Sequence, residues 1–496
     1  MSKAKLSVKD KNFLSTINDV VCSNPFSANR EEAEKMMAPF ADLPLPDPMD
    51  PSHVFNDLKV PLKYFIKHLA MKGITRIDHL KGADRQLLEI AYIHEVYLDY
   101  LDRMDDLIQK QLSEINRPIN IPFADELIKQ LENYGFTTTD AHTVFAVIYQ
   151  IRRAFYFIAT ALVGDCPSMK QLRCDLWNNI FTHDIRIYRD YLWDRMEDFS
   201  TLIIGDTGTG KGSAARAIGS SGMMHYNPET KSFSHALDEF YQLINLSEYP
   251  ESLIESALFG HTKGAFTGAV KDHAGIFQRC IPHGSLFLDE IGDVSQPVQV
   301  KLLNVLQDRR FTPVGSDKEL RFEGRVISAT SKGYDEFITK GILRQDLFYR
   351  LSSDVITMPT LQQRIQENPE ELRQLVKSLS SRMLGNNSDD LTDWIVKCLN
   401  KSLPDNYQWP GNVRELEQAI RRVLLKHEYN GNDYFLRDEQ LNANNLQLPS
   451  NNVDHKQLLS LYCTKLIKIH KTYEKVARIT NLDRRTVKKY IEMDWK

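Results

Sequence analysis

One short stretch constrains the fold of this chain more than any other, the segment TLIIGDTGTGKGS at residues 201–213. Its apolar start predicts a buried strand, and the glycines that follow predict a tight turn into a helix. Two further segments, GSLFLDEIGD at 284–293 and GRVISAT at 324–330, also read as buried strands. Because these strands alternate with helical stretches, the pattern predicts a parallel α/β sheet.

The turn after the first strand fits the first seven places of the pattern G-x-x-x-x-G-K-[ST]. Its backbone N–H groups and the N-terminus of the next helix predict a site for phosphate oxygens, with Lys211 reaching the β- and γ-phosphates. The eighth place is Gly212, so the usual hydroxyl ligand of Mg²⁺ is missing or displaced to Ser213. The candidate ATP-binding residues of this turn are Gly205, Asp206, Thr207, Gly208, Thr209, Gly210, Lys211, Gly212 and Ser213.

Two acids follow the second strand. Asp289 and Glu290 lie at its carboxyl end, the edge where ligands bind in parallel sheets. Asp289 is expected to hold Mg²⁺, directly or through water, and Glu290 to orient and polarise an attacking water. ATP and Mg²⁺ are therefore the expected cofactors.

Five motifs, in chain order, resemble the central AAA+ domain of bacterial enhancer-binding proteins, the activators of sigma-54 RNA polymerase. They are GDTGTGK, ESALFGHTKGAFTGA, GSLFLDEIGD, LRQDLFYRL and WPGNVRELEQAI, and the resemblance covers about 163–430. It implies a homo-oligomeric ring, expected to be a hexamer, in which Arg344 and Arg350 are arginine fingers. It further implies that Asn245 restrains the catalytic Glu290 and that Arg414 is the sensor arginine of the lid.

This chain departs from the family in two places within the motifs. Glu is frequent after the loop lysine in the family, where this chain has Gly212. The polar sensor after the third strand is usually Asn, and here it is Ser331, preceded by Thr330. The second departure predicts weaker coupling between loss of the γ-phosphate and movement elsewhere in the domain.

The GAFTGA segment places an aromatic ring on a flexible loop, which predicts a contact surface. Gly264 and Gly268 are the expected hinges, and Phe266 and Thr267 the projecting contact. The resemblance implies that this loop grips sigma-54; a hairpin tip packed internally is the alternative. The contact residues are Gly264, Ala265, Phe266, Thr267, Gly268 and Ala269.

Residues 1–160 predict a helical regulatory or sensor domain. Apolar residues recur at steps of three and four over 87–108, and again over 144–162, which predicts two amphipathic helices. They fit the core of a small bundle or, alternatively, a dimer seam. His94 on the first stripe is expected to be a hydrogen-bonded core residue. The region lacks the pattern of a receiver domain, so control by phosphorylation is not supported.

The tail is locally basic although the 496-residue chain carries a net charge of −4. Ten basic side chains oppose four acidic ones over 464–496, a balance typical of nucleic-acid binding. The segment 473–491 predicts a helix-turn-helix, with Ala477 at the helix crossing, Asn481 in the turn and Asp483 as a cap. It is similar to the Fis-like tail of the same family. The expected DNA contacts are Arg484, Arg485, Thr486, Lys488 and Lys489.

The composition is that of a globular protein, with 42% hydrophobic and 26% charged residues. Six cysteines without a CxxC pair, and no signal-peptide pattern, predict a cytoplasmic location with reduced thiols. The most apolar run, 154–163, is about half the length of a membrane span, so no membrane partner is expected.

Together these features predict a multidomain α/β protein. Its predicted parts are a helical regulatory domain at 1–160, an AAA+ ATPase core at 163–360, a helical lid at 361–430, a linker at 431–454 and a helix-turn-helix at 455–496. The expected function is a sigma-54-dependent activator that hydrolyses ATP to remodel the polymerase while bound to double-stranded enhancer DNA. Two alternatives remain: a regulator that binds nucleotide and DNA without remodelling, and an AAA+ remodeller of another target.

Overall fold

The computed structural model describes most of the chain. The described residues are 5–27, 30, 59–114, 116–333, 341–385, 388–404, 406–431, 455–470 and 472–491. The predicted linker 431–454 lies outside them, apart from Gly431. The chain divides into two units, one formed by Met1–Asp393 with Gly411–Gln418 and the other by Trp394–Pro410 with Ala419–Lys496.

Nine short strands lie in the part of the first unit that the structure describes. They are β1 Thr201–Ile204, β2 Tyr226–Asn227, β3 Ser232–Phe233, β4 Tyr241–Asn245, β5 Ser285–Asp289, β6 Arg310–Phe311, β7 Leu320–Arg321, β8 Arg325–Thr330 and β9 Asp354–Thr357. Five of them form one sheet in the order β4-β5-β8-β1-β9, and every pairing within it is parallel. The predicted parallel sheet is confirmed, and β1 lies between the strands that end at Thr330 and Thr357.

The central strands β5, β8 and β1 are buried on both faces of this sheet, and their residues alternate between two apolar clusters. Leu202, Leu286 and Val326 belong to one cluster. Their neighbours in the sequence, Ile203, Phe287 and Ile327, belong to the other. Successive side chains of a strand point to opposite faces, so continuous apolar runs are what a doubly covered sheet requires.

Among the described residues, seven α-helices of at least ten residues precede β1, in agreement with the prediction of a helical N-terminal region, and a three-residue helical turn follows them at Ile185–Ile187. The seven are α1 Val8–Cys22, α2 Lys59–Met71, α3 Gly82–Asp99, α4 Leu101–Ser113, α5 Ala124–Asn133, α6 Thr138–Ala161 and α7 Pro167–Phe181. The later helices of the sheet region and lid are α8 Lys211–Gly219, α9 Glu251–Phe259, α10 Ile276–Arg279, α11 Gln296–Asp308, α12 Gln345–Leu351, α13 Leu361–Glu367, α14 Glu370–Leu384, α15 Asp389–Ser402 and α16 Asn412–Lys426.

The prediction of one helix over 87–108 is wrong, because the stripe is divided at Tyr100. That residue has φ −106° and ψ 9°, so α3 ends before it and α4 begins after it. The break turns Met104 and Ile108 into the core that also holds Ile148 and Tyr149. Residues 94–98 of α3 are all buried, so this part of the helix has no separate apolar face. Its apolar side chains pack against other parts of the same chain.

The second stripe forms one helix, as predicted. The side chain of Thr137 caps α6 by accepting a hydrogen bond from the Asp140 N–H at 3.1 Å. Among the described helices, α6 has the length and composition of a membrane span, yet 56% of that window is buried inside the protein. Its apolar character is therefore explained by packing in a protein core.

The core of the N-terminal helices extends beyond residue 160. Met224, Tyr226, Phe233 and Phe240 belong to the same apolar cluster as the helices α1 to α6. A polar contact also joins α6 to the segment after α8, since the Gln150 amide donates to the Ser221 carbonyl at 2.9 Å. The N-terminal helices and the sheet region thus share a core.

Candidate nucleotide site and contact loop

The turn 205–211, here called the phosphate loop, joins β1 to α8. Gly208 and Gly210 have φ of 83° and 101°, values that disfavour any residue with a Cβ. A Cβ on Gly208 would lie 2.2 Å from the Gly411 carbonyl oxygen. One on Gly205 would lie 2.7 Å from the Cβ of Met358. The glycines are therefore required both by the backbone and by the close approach of neighbouring segments.

Lys211 begins α8, and its side chain is buried beneath the loop. Its Nζ donates to the carbonyl oxygens of Gly205 at 2.8 Å and Asp206 at 3.3 Å. Burial lowers the pKa of Lys211, and the carboxylates of Glu290 and Asp289 oppose that shift. The amine is thus held at the helix N-terminus, where a phosphate gains most from a positive charge.

Asp289 and Glu290 emerge from β5 beside the loop. Burial raises the pKa of the half-buried Asp289, and the charge of Glu290 raises it further. Glu290 itself lies in the left-handed region at φ 53°, ψ 50°. Its Oε2 accepts hydrogen bonds from the Ser331 N–H at 3.2 Å and the Ser331 hydroxyl at 3.0 Å. Non-glycine residues in this conformation concentrate at functional sites.

The two sensor candidates have different surroundings. Thr330 is fully buried, and its hydroxyl accepts from the Lys332 N–H at 3.1 Å, so it shapes the turn after β8. Ser331 is the residue that touches Glu290. A sensor hydroxyl in direct contact with the candidate catalytic carboxylate is a geometry that the motif alone did not specify.

The contact between Asn245 and Glu290 that the resemblance implies is not made in this structure. Asn245 lies at the end of β4, opposite Asp289 in the sheet register. Its amide donates to Glu248 at 3.1 Å, and its oxygen accepts from Ser247. These local bonds cap the turn after β4 and hold the amide away from Glu290.

A cavity of 360 Å³ brings most of the predicted nucleotide residues together. Its wall includes Thr207, Gly208, Thr209, Gly210, Lys211, Gly212, Ser213, Asp289, Glu290 and Arg414. The amide of Asn412 donates to the Thr207 carbonyl at 3.1 Å, which fastens the start of α16 to the phosphate loop. Arg414, two residues later, is thereby placed at the cavity as the resemblance implies.

Other parts of the cavity wall were not recognised from the sequence. Ala161, Leu162 and Val163, at and after the end of α6, form an apolar part of the wall. Arg364 also lines the cavity, and its Nε donates at 2.8 Å to the fully buried Glu371. Its Nη2 donates to the Val163 carbonyl at 2.6 Å, which joins α13 to the segment after α6. These residues lie about 200 positions apart, and no local pattern marks them.

The donor set of the cavity fits a nucleotide with Mg²⁺. The glycine cradle, the buried amine and one partly buried carboxylate are the groups that hold phosphates and a phosphate-bound Mg²⁺. Within the described residues, no group of three His, Cys, Asp or Glu side chains forms a separate metal cluster. Asp289 is the candidate ligand, with the hydroxyl of Ser213 also on the cavity wall.

The two candidate arginine fingers lie on or beside α12 and do not line this cavity. Arg344 forms an exposed ion pair with Asp346 at 2.7 Å, and Arg350 is also exposed. A role in the site of a neighbouring subunit stays a prediction for both.

Residues 264–269, here called the contact loop, project from a bridged stem. His261 and His273 exchange backbone hydrogen bonds, and Thr262 N–H donates to the Val314 carbonyl. Within the loop, the Gly264 N–H donates to the Ala269 carbonyl at 2.8 Å. The ring of Phe266 is 38% exposed and meets the His261 ring edge-on at 4.9 Å. Phe266 is therefore presented at the surface and not packed in a core.

Both predicted hinges of the contact loop have left-handed backbones in open space. Gly264 has φ 85° and Gly268 φ 102°, and a Cβ on either would meet nothing within 4 Å. These glycines serve the backbone conformation alone, and no neighbour holds the loop closely at these positions.

In the second unit, the tail forms helices α17 His455–His470, α18 Tyr473–Thr480 and α19 Arg484–Ile491. Cys463, Leu466, Val476 and Val487 form its small core, against which Ala477 packs. Asn481 lies in the left-handed region, and the Asp483 side chain accepts from the Arg485 N–H at 2.8 Å. The predicted turn and cap are confirmed.

The basic side chains of the tail have a surface position. Arg484, Arg485, Lys488 and Lys489 are exposed on α19, while Thr486 is half-buried. Arg484 also pairs with Glu474 of α18 at 2.8 Å. A helix of this kind presents an exposed cationic face, as major-groove readers do.

Comparison with known proteins gives one family match: residues 190–357 match the family described as the sigma-54 interaction domain. The transcriptional regulatory protein GlrR of Escherichia coli (strain K12) is 35% identical over 274 residues, 55% of this chain and 57% of that protein. The anaerobic nitric oxide reductase transcription regulator NorR of Escherichia coli O9:H4 (strain HS) is 34% identical over 325 residues, 65% of this chain and 56% of that protein. This chain thus spans little more than half the length of these relatives.

Among solved structures, NtrX from Brucella abortus in complex with ADP is 19% identical, with a TM-score of 0.40, over 75% of this chain and 80% of that one. A likeness of this size carries no argument about ligand or mechanism. The assignment rests on the matched segment, which contains the phosphate loop, the two acids and the contact loop. Residues 190–357 are thus similar to the sigma-54 interaction domain, and within them β4, β5, β8, β1 and β9 form the five-stranded parallel sheet.

Proposed function

We propose that this protein is an ATP-hydrolysing activator of sigma-54 RNA polymerase. ATP with Mg²⁺ binds the cavity between the phosphate loop and Arg414, and Glu290 orients the attacking water. Asp289 holds the metal. The observation that carries the proposal is the presence, in one sigma-54 interaction domain, of a complete phosphate cradle and an exposed aromatic loop on glycine hinges.

A direct path connects the two features. The chain leaves β4 beside Asp289, turns at Asn245 to Glu248 and enters α9, which ends at the stem of the contact loop. Nine helical residues span roughly 13 Å. A shift at the nucleotide side can thus be carried as a rigid movement of α9 to Phe266.

The remaining parts of the proposal concern assembly and DNA. Arg350 is exposed, Arg344 is half-buried, and neither lines its own chain's cavity, which supports a site shared between subunits of a ring, with six subunits expected. Arg484, Arg485, Thr486, Lys488 and Lys489 of α19 contact DNA in the major groove and along the backbone. The proposed location is the cytoplasm, where sigma-54 polymerase and DNA are present.

The proposed domain organisation keeps the boundaries 1–160, 163–360, 361–430, 431–454 and 455–496. The helical region 1–160 is the regulator, since α6 runs from its core to the wall of the nucleotide cavity. Deleting it is expected to raise ATP turnover and make transcription independent of the signal. A truncated protein that stays monomeric and inactive at every concentration would instead make the region a platform for assembly.

The function is tested by three measurements on the full chain: ATP turnover, capture of purified sigma-54 in the presence of nucleotide, and open-complex formation at a sigma-54 promoter. We expect the full chain to show all three activities. ATP turnover without sigma-54 capture would assign the protein to another target, and nucleotide binding without turnover would make it a passive regulator.

The DNA contact is tested by removing 455–496. We expect site-specific DNA binding to be lost while ATP turnover survives at high protein concentration. Binding by the full chain should also weaken steeply with salt, because phosphate contacts release counterions. Undiminished site-specific binding by the truncated protein would contradict the assignment of the tail.

A further inference from the structure

A second, smaller cavity lies between α3, α6 and α7 and shares no lining residue with the nucleotide cavity. It measures 60 Å³, several times the roughly 10–15 Å³ that a single water requires. Ile93, His94 and Tyr97 of α3, Ile148 and Ile151 of α6, and Trp177 of α7 contribute to its wall. Its lining is mainly apolar, with a small polar end.

His94 supplies the polar end and was expected to be a hydrogen-bonded core residue. It is 4% exposed, and within the described part of the chain its Nε2 is buried without a hydrogen-bond partner. Its ring stacks on Tyr97 at 5.8 Å. Buried polar atoms nearly always have a partner, and an exception calls for an explanation. A ligand that bonds to Nε2 supplies one.

The charge around this cavity favours an electron-rich head group. Burial and the positive charge of Arg30 lower the pKa of His94 to about 3, so the imidazole is neutral at physiological pH. Arg30 also belongs to the wall, and among the described lining residues none is acidic. A small anion gains from this environment, while a cation would be repelled.

The cavity and the nucleotide site share two helices. Ile148 and Ile151 of α6 line the smaller cavity, and Ala161 at the end of the same helix lines the nucleotide cavity. Helix α7 also reaches both cavities, since Trp177 lines the smaller cavity and Met169 lines the nucleotide cavity. Ile151 and Ala161 lie ten positions apart on α6, a distance of roughly 15 Å. A molecule that displaces α6 at Ile151 therefore moves a wall of the nucleotide site.

We infer that this cavity binds a short-chain monocarboxylate, whose head group bonds to His94 and whose tail packs on Ile148 and Ile151, and that this binding controls ATP turnover. The control of turnover rests on the proposed function, whereas the binding does not. The small volume limits the ligand to a few carbon atoms.

The binding is tested by calorimetry of the full chain with acetate, propionate, butyrate and hexanoate. We expect affinity to peak at propionate or butyrate and to fall for hexanoate. His94→Leu keeps the apolar bulk and removes the Nε2 contact, so affinity should fall at least tenfold. His79→Leu, a histidine of the same region outside the cavity, should bind as the unaltered protein does.

Three results would overturn the site: no binding of any of these acids at millimolar concentration, equal binding by His94→Leu in a folded state verified by circular dichroism, or equal affinity for n-butanol and butyrate. Ile151→Phe, which fills the cavity from α6, provides a second variant that should abolish binding. ATP turnover is then measured with and without butyrate. Binding without any change in turnover would overturn the control, and a protein that binds butyrate but never hydrolyses ATP would instead overturn the proposed function.

Discussion

The phosphate loop and the contact loop are both rich in glycine, yet they use it for different reasons. In the phosphate loop, Gly208 is left-handed and also pressed against the Gly411 carbonyl, so a Cβ has no room. In the contact loop, Gly264 and Gly268 are left-handed with empty space around them. The first loop is pressed against a distant segment at Gly208, while the second has open space at both glycines and a hydrogen-bonded stem.

This difference fits two tasks within one domain. A phosphate cradle stabilises charge best when its donors are pre-positioned, because no reorganisation is then needed during the reaction. A loop that delivers movement to a partner needs freedom at its ends and a rigid base. Changes at the phosphate side should therefore affect ATP turnover, and changes in the contact loop should affect the partner.

The largest expected effect comes from Arg344→Ala. An arginine finger contributes roughly 10³–10⁵ in rate, so this variant should bind ATP and hardly hydrolyse it. Arg373→Ala, which breaks an exposed ion pair with Asp393, is the matched control and should leave turnover unchanged. Turnover per chain should also collapse on dilution below the assembly range. Equal turnover in monomer and assembly would contradict a shared site.

The comparison of the two loops is sharpest in a pair of glycine variants. Gly208→Ala adds a clash at 2.2 Å to a left-handed backbone, so ATP affinity should fall by at least about a hundredfold. In Gly268→Ala the added Cβ meets no neighbour, so only the left-handed backbone conformation destabilises the variant, by about 1–2 kcal/mol. Its ATP affinity should be unaltered. Nucleotide titration of both variants distinguishes them, and equal losses of affinity would refute the distinction.

The smallest effect is expected from Gly212→Ser. A Cβ at Gly212 meets nothing within 4 Å, so the hydroxyl common at this place in phosphate loops can be restored without strain. The Mg²⁺ concentration for half-maximal turnover should fall, by less than about tenfold if one hydroxyl contact is gained. A rise in that concentration would show that Gly212 is required as glycine.

Local motifs predicted the parts of the site whose geometry is decided locally. The phosphate loop, the acids after β5 and the turn at Asn481 depend on backbone angles and on nearest neighbours in the sequence. The contacts that sequence reasoning missed include ones between distant segments, such as Arg364 with Val163. Packing decides those partners, and no short pattern records them.

The helices of the N-terminal region illustrate the same limit. Apolar spacing predicted α6 correctly, but it merged α3 and α4 across Tyr100 because the stripe continues through the break. The resemblance implies a contact between Asn245 and Glu290, whereas in the structure the Asn245 amide donates to Glu248 in the turn after β4. The resemblance identified where Asn245 lies, and the local hydrogen bonds decide what it touches.

The central claim is that ATP hydrolysis and contact with the polymerase depend on separate segments of one domain. The variant Phe266→Ala tests this claim most directly. Turnover of ATP and open-complex formation by sigma-54 polymerase should be measured in the same reaction, with Val270→Ala, an exposed neighbour outside the loop, as control. We expect Phe266→Ala to keep its turnover within about twofold and to lose open-complex formation, because the ring lies outside the nucleotide cavity and is proposed to contact sigma-54. A parallel loss of both activities, with the control unaffected, would contradict the account.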